Sequence, residues 1–207
     1  MLYKIVRLIA MIFFKLFSRL RVEGNNQLPE NEAFILAPNH FSTLDAFVLM
    51  AAVKYEYYTI GKIELFKNPI FKFLIIRLNA IPVNRKGFCR QTLKVAIEIL
   101  GQNKIVAIFP EGYISKNGTL GRFKSGVARL ALEAKVPIIP VAIVGSNRAL
   151  PLGKRIPRPH RLIVKFGEPI YVDNNEQNYN QKVMAELTEK VRQQIILMLN
   201  DKNYSFE

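Results

Sequence analysis

Ile105 to Phe109 is a continuous apolar run, the mark of a strand buried on both faces. Ala33 to Ala37 is a second such run, a short buried strand stopped by Pro38 and Asn39. Pro137–Val144, Leu162–Phe166 and Tyr57–Gly61 read as further strands, and Ala80–Val83 as a short one broken by Pro82 and ended by Asn84-Arg85. Helical segments lie between them. Leu44–Val53 is entered through Ser42 or Thr43 as N-cap, and Pro69 opens an apolar helix over Ile70–Leu78. Gln91–Gly101 places Leu93, Ile97 and Leu100 at helical spacing, and another helix is expected over 125–134. A long final helix over 179–199 carries the stripe Val183, Leu187, Val191, Ile195 and Met198. This alternation predicts an α/β fold, a single domain with a mostly parallel central sheet flanked by helices. At 207 residues the chain is long enough for a sizeable core.

In sheets of this kind, sites lie beyond the carboxyl ends of the strands. His40, Arg85 and Glu111 each follow a predicted strand directly, which argues for one shared site. His40 is one of two histidines, and Asp45 follows five residues later. On a regular helix those positions stand about 140° apart, so the two side chains meet only across an irregular turn. The pair suits proton abstraction. A neutral imidazole takes a proton near pH 7, and a carboxylate on its other nitrogen fixes the tautomer and stabilises the imidazolium. The competing reading is a capped turn that holds a hydrogen-bonded histidine.

The net charge of +14 calls for an anionic partner: nucleic acid, a membrane surface or a phosphorylated substrate. No RNP aromatics, helix-turn-helix signal or zinc spacing favours nucleic acid. Two histidines and the lone Cys89 are too few for a His/Cys zinc site, and no metal is expected. Residues 1–22 read as an amphipathic helix. Lys4, Arg7, Lys15, Ser18 and Arg19 share one arc, and Leu2, Ile5, Ile9, Ile12, Phe13 and Leu16 face away from it. Its uncharged run is too short to span a bilayer, and no small-residue cleavage site marks a secretory signal. The helix therefore reads as membrane-interfacial, against the alternative of a helix packed on the core. The segment 134–167 carries Lys135, Arg148, Lys154, Arg155, Arg158, Arg161 and Lys165 and no acidic residue. Anionic lipid, an acidic carrier protein and the phosphates of a nucleotide-bearing thioester all suit it, as does plain solvation. His160, without a carboxylate at useful spacing, reads as a surface residue.

Several blocks together resemble the glycerolipid acyltransferases. Asn39-His40-Phe-Ser-Thr-Leu-Asp45 is similar to the family's NHxSxxD block. Ile81-Pro-Val-Asn-Arg85 is similar to its second block and Phe109-Pro-Glu-Gly-Tyr-Ile-Ser115 to FPEGTRS. Phe123-Lys124-Ser-Gly126 matches FKxG, and Val136-Pro-Ile-Ile-Pro140 the proline-containing fourth block. The resemblance implies acyl transfer from a thioester, acyl-CoA or acyl carrier protein, to the free hydroxyl of lysophosphatidic acid, with no cofactor. His40 is then the general base and Asp45 orients it, with oxyanion donors expected from amides near the helix start. Arg85 contacts the acceptor phosphate, and Glu111 belongs to the acceptor site. Gly112, Arg122 and Lys124 form part of a cationic phosphate loop. Residues 23–207 would be the acyltransferase domain, held peripherally or monotopically at the cytoplasmic face of a membrane. Tyr113-Ile114 replace the expected Thr-Arg, and Asn79 stands where glycine is usual, which bears on the acceptor more than on the reaction. The rival readings are transfer to another lipid hydroxyl, thioester hydrolysis, and a non-catalytic binder of anionic membrane or nucleic acid.

Overall fold

The computed structural model describes residues 1–24, 28–83, 90–172 and 180–201, without the side chains at 62, 70 and 71. Its strands are β1 (Arg21–Glu23), β2 (Ile35–Pro38), β3 (Tyr57–Lys62), β4 (Ala80–Val83), β5 (Ile105–Ala107), β6 (Ile138–Val144) and β7 (Ile163–Phe166). They form one sheet in the order β1-β7-β6-β2-β5-β3-β4. Among these seven strands only the β6–β7 pairing is antiparallel. The helices are α1 (Leu2–Phe17), α2 (Asp45–Ala52), α3 (Pro69–Arg77), α4 (Arg90–Gly101), α5 (Gly126–Ala134), α6 (Ser146–Ala149) and α7 (Gln181–Leu199).

The unalternating strands are explained by helices on both faces. Along the β2 segment, Phe34 and Leu36 join the cluster under α1 and α2, with Val48, Leu49 and Val141. Ile35 and Ala37 point the other way, into the cluster under α4, α5 and α7 with Leu93, Leu130, Val191 and Ile195. With both faces covered, every position in the run is apolar. Burying side chains such as Phe34, Ile35 and Leu36 is worth about 1.5–3 kcal/mol each.

Proline falls in two of the strands. Pro82 pairs with Gly61 in β4, at the edge of the sheet, where a missing N–H costs no ladder bond. Pro38, expected to stop β2, is instead its last residue, opposite Val141.

The N-terminal helix differs from expectation in length. It ends at Phe17, and Arg21–Glu23 pair in parallel with β7 as an edge strand. Three residues with charges at both ends carry too weak a period to be read from sequence, and edge positions tolerate the charges. Tyr3, Ala10 and Phe14 are buried in the cluster shared with α2, and Arg7 Nε donates to Val53 O at 2.7 Å. Tyr57 N donates to the Tyr3 hydroxyl at 3.3 Å, and burial pushes the Tyr3 hydroxyl up to about 12. Ile5, Leu8, Ile9, Ile12, Phe13 and Leu16 remain exposed. One side of this helix therefore packs on the domain, and the opposite side is an open apolar face. Among the described residues no helix is long and apolar enough to cross a membrane.

Candidate active site

Neighbouring parallel strands bring the site together. β2 and β5 are adjacent and parallel, so the turns that leave their carboxyl ends abut. The first turn is fastened by Asn39, which is fully buried. Its Nδ2 donates to Ile143 O at 3.0 Å, and its Oδ1 accepts from Ile143 N at 2.7 Å. The carboxamide imitates a backbone pair and carries the β2–β6 ladder one step past the end of β2.

Residues 41–44 then form a turn and not a helix, which lets His40 and Asp45 meet. Three donors converge on Asp45 Oδ2: Phe41 N at 2.7 Å, Ser42 N at 2.7 Å and His40 Nδ1 at 3.0 Å. The turn wraps around the carboxylate, and this closes the five-residue gap. Ser42 does not cap α2. Its hydroxyl donates to Leu150 O at 2.8 Å and accepts from Leu44 N at 3.2 Å, while the N-cap position itself falls on Leu44, without a side-chain bond. The amides of His40, Phe41, Ser42 and Leu44 are all committed to protein acceptors, so these four amides near the start of α2 do not supply the expected oxyanion donors.

Asp45 is wholly buried, whereas the His40 side chain is 19% exposed. Its ring stacks on Phe109 with centroids 4.1 Å apart. With Nδ1 against a carboxylate, the tautomer assigned from this network carries its proton on Nδ1 and leaves the Nε2 lone pair available. A base oriented in this way is equipped to take a hydroxyl proton.

Glu111 ties the His40 turn to the loop that follows β5. It is fully buried, and both oxygens are spent on backbone amides: Oε1 accepts from His40 N at 2.8 Å and Oε2 from Gly121 N at 2.9 Å. Burial pushes its carboxyl above the usual range, against the lowering effect of those two bonds. Ser115 N donates to His40 O at 2.8 Å. The 111–115 segment therefore grips the His40 peptide by both its N–H and its C=O.

Gly112 adopts φ +72°, and a Cβ there would stand 2.9 Å from Lys124 Nζ. The turn thus needs glycine both for its backbone and for the passage of Lys124, whose amide donates to Pro110 O at 2.9 Å. Arg122 goes elsewhere. It lines a groove of about 650 Å³ with Phe123, Ser125, Thr188 and Arg192, between this loop and α7. The loop brings Lys124, not Arg122, to the turn beside His40. Arg85 lies outside the described residues. Sequence reasoning read Asn39 only as part of a strand stop and gave Phe109 no role of its own; nothing local to Asn39 signals a partner 104 residues away.

Residues 19–144 match the acyltransferase family. The chain is 31% identical over 152 residues to a chloroplastic 1-acyl-sn-glycerol-3-phosphate acyltransferase of Arabidopsis thaliana, which covers 72% of this chain and 42% of that one. It is 30% identical to a 1-acyl-sn-glycerol-3-phosphate acyltransferase of Cocos nucifera, covering 81% and 54%. It thus spans about half the length of these plant relatives. A 1-acyl-sn-glycerol-3-phosphate acyltransferase of Bacillus subtilis aligns over 94% of this chain and 95% of its own length at 25% identity. Among solved structures, the 1-acyl-sn-glycerophosphate acyltransferase PlsC of Thermotoga maritima superimposes with a TM-score of 0.79 at 28% identity, over 99% of this chain and 81% of that one. The matched span holds the His40–Asp45 turn, its Glu111 clamp and the Lys124 loop in one fold: the chain belongs to the acyltransferase family.

Proposed function

We propose that this protein transfers an acyl group from an acyl thioester, acyl-CoA or acyl carrier protein, to the free sn-2 hydroxyl of 1-acyl-sn-glycerol-3-phosphate, giving phosphatidic acid. The observation that carries the reading is the His40 Nδ1–Asp45 Oδ2 contact of 3.0 Å in a chain of this family. The names borne by its relatives support the choice of acceptor.

In the proposed reaction His40 Nε2 removes the acceptor hydroxyl proton as the oxygen attacks the thioester carbonyl. The C–S bond then breaks, and the imidazolium returns the proton to the departing thiolate. Asp45 stabilises the imidazolium in between. Glu111 acts as a positioning residue through the amides of His40 and Gly121. Lys124 and Arg85 are assigned to the acceptor phosphate, which a cationic ammonium and a bidentate guanidinium suit. The open face of α1 and the +14 charge support a peripheral position at the cytoplasmic face of an anionic membrane.

Thiol release tests this reading. Purified protein in detergent–lipid mixed micelles receives either donor with lysophosphatidic acid, glycerol-3-phosphate or an uncharged lysolipid, and His40→Ala serves as control. Release with matching phosphatidic acid only from lysophosphatidic acid, lost in the variant, is the expected result. Turnover only with another acceptor would keep the chemistry and overturn the substrate, with Tyr113-Ile114 as the cause to test next. Release as fast without acceptor would make the protein a thioesterase. No His40-dependent release with either donor would refute the enzymatic reading.

A further inference from the structure

The basic segment after β6 divides sharply once folded. Lys165 is buried, with Nζ 3.0 Å from Met198 O and 3.1 Å from Asp201 Oδ2, where it fastens the end of α7. Lys135 is the left-handed C-cap of α5. Lys154, Arg155 and Arg158 instead share one exposed loop with two apolar residues, Leu152 at 48% and Ile156 at 80% exposure. A surface patch of isolated apolar atoms is ordinary; an Ile this exposed between an Arg and a Pro-Arg, on a loop with no acidic residue, is not.

The loop is held in shape. Lys154 N donates to Pro151 O at 3.0 Å and Arg158 N to Ala149 O at 2.7 Å, closing the turn that carries Ile156, and Pro151, Pro157 and Pro159 restrict its backbone. Its two ends are tied to places already described. Leu150 O accepts from Ser42 of the His40 turn, and Leu162 N donates to Ser18 O just after α1, at 3.0 Å. It therefore bridges the candidate catalytic turn and the end of the helix that bears the open apolar face.

We propose that residues 152–161 are a second membrane-docking element, in which Ile156 enters the headgroup–acyl boundary while Lys154, Arg155 and Arg158 meet anionic lipid phosphates. The proposal rests on the membrane reading given above. A bilayer fits both parts of the loop at once, since it offers anions at the surface and hydrocarbon just beneath. A stable hold on a membrane takes two signals, and α1 together with this loop supplies them next to the site that acts on lipid.

Vesicle co-sedimentation of the full chain tests it, with phosphatidylcholine vesicles and with vesicles mixed with phosphatidylglycerol. Ile156→Asp is expected to lower partitioning onto the anionic vesicles about tenfold or more, and Arg155→Gln with Arg158→Gln by about fivefold per charge. Ile156→Asp should leave the melting temperature and the turnover of short-chain, monomerically dispersed substrates unchanged. Ile12→Asp on the open face of α1 serves as the reference for membrane binding as such. Unchanged partitioning of the loop variants beside lost binding of Ile12→Asp would overturn the loop proposal and leave the membrane reading standing. Unchanged partitioning of all variants would overturn both. A raised KM for acyl carrier protein in vesicle-free solution, with partitioning intact, would assign the loop to the soluble donor and overturn the proposal.

Discussion

Asp45→Asn separates the chemical from the structural work of the buried carboxylate. Asparagine can present its carbonyl oxygen where Oδ2 now stands, so Phe41 N, Ser42 N and His40 Nδ1 keep an acceptor; its amide nitrogen then takes the place of the buried, unpartnered Oδ1, at a cost of about 1–3 kcal/mol. Two consequences follow with different sizes. The two backbone bonds turn from charge-assisted to neutral, at about 1 kcal/mol each. Together with the buried amide nitrogen the loss is about 3–5 kcal/mol, which lowers the melting temperature of a domain this size by roughly 6–20 °C and leaves the protein folded at 25 °C. The imidazolium that forms during catalysis loses its counter-charge. With a donor–acceptor distance of 3.0 Å the charge centres lie about 4 Å apart, and at an effective dielectric near 20 that pair is worth about 4 kcal/mol. The expected fall in kcat is therefore roughly three decades. Thiol release at saturating donor, beside circular-dichroism melting, reads both numbers. The double variant with His40→Ala should be no slower than His40→Ala alone, because the two residues act as a unit. If Asp45→Asn keeps more than a tenth of kcat, the pair is a structural turn and the general-base argument fails.

Asn39→Ala should be the more damaging change to the fold, since it orphans the buried Ile143 N–H and C=O at about 1–3 kcal/mol each; denaturant unfolding measures it, and a change under 1 kcal/mol would refute the ladder argument. Glu111→Gln isolates a titration. The raised folded carboxyl means that its contribution to stability is fully present below the unfolded value of 4.5 and is lost as pH rises through the folded one. The wild-type advantage in melting temperature over Glu111→Gln should therefore shrink from pH 4 to pH 7, and a gap that widens would show that the two amide bonds outweigh burial.

Much of the architecture was legible along the chain because it is locally encoded. Apolar runs such as Ile105–Phe109 fit only where helices cover both faces, and helical spacing recurs between the runs. The His40–Asp45 pair was legible as a pattern, and the ends of the strands told where to look for it. The tertiary structure alone decided what required distant partners. Nothing near Asn39 names Ile143 as the continuation of its strand, and nothing near Glu111 says that its oxygens go to His40 N and Gly121 N instead of to a ligand. Lys124 and Arg122 are two residues apart and look equivalent on paper, yet the path of the loop sends one across Gly112 and the other into the α7 groove. The three residues of β1 became a strand only because β7 stands beside them. The sequence by itself determined the periods, the charge and the reactive residue types, because those are properties of neighbours in the chain. Which polar atoms pair, which cations are buried and which face of α1 stays open depend on packing between segments more than a hundred residues apart, and only the folded chain brings those atoms within hydrogen-bond reach.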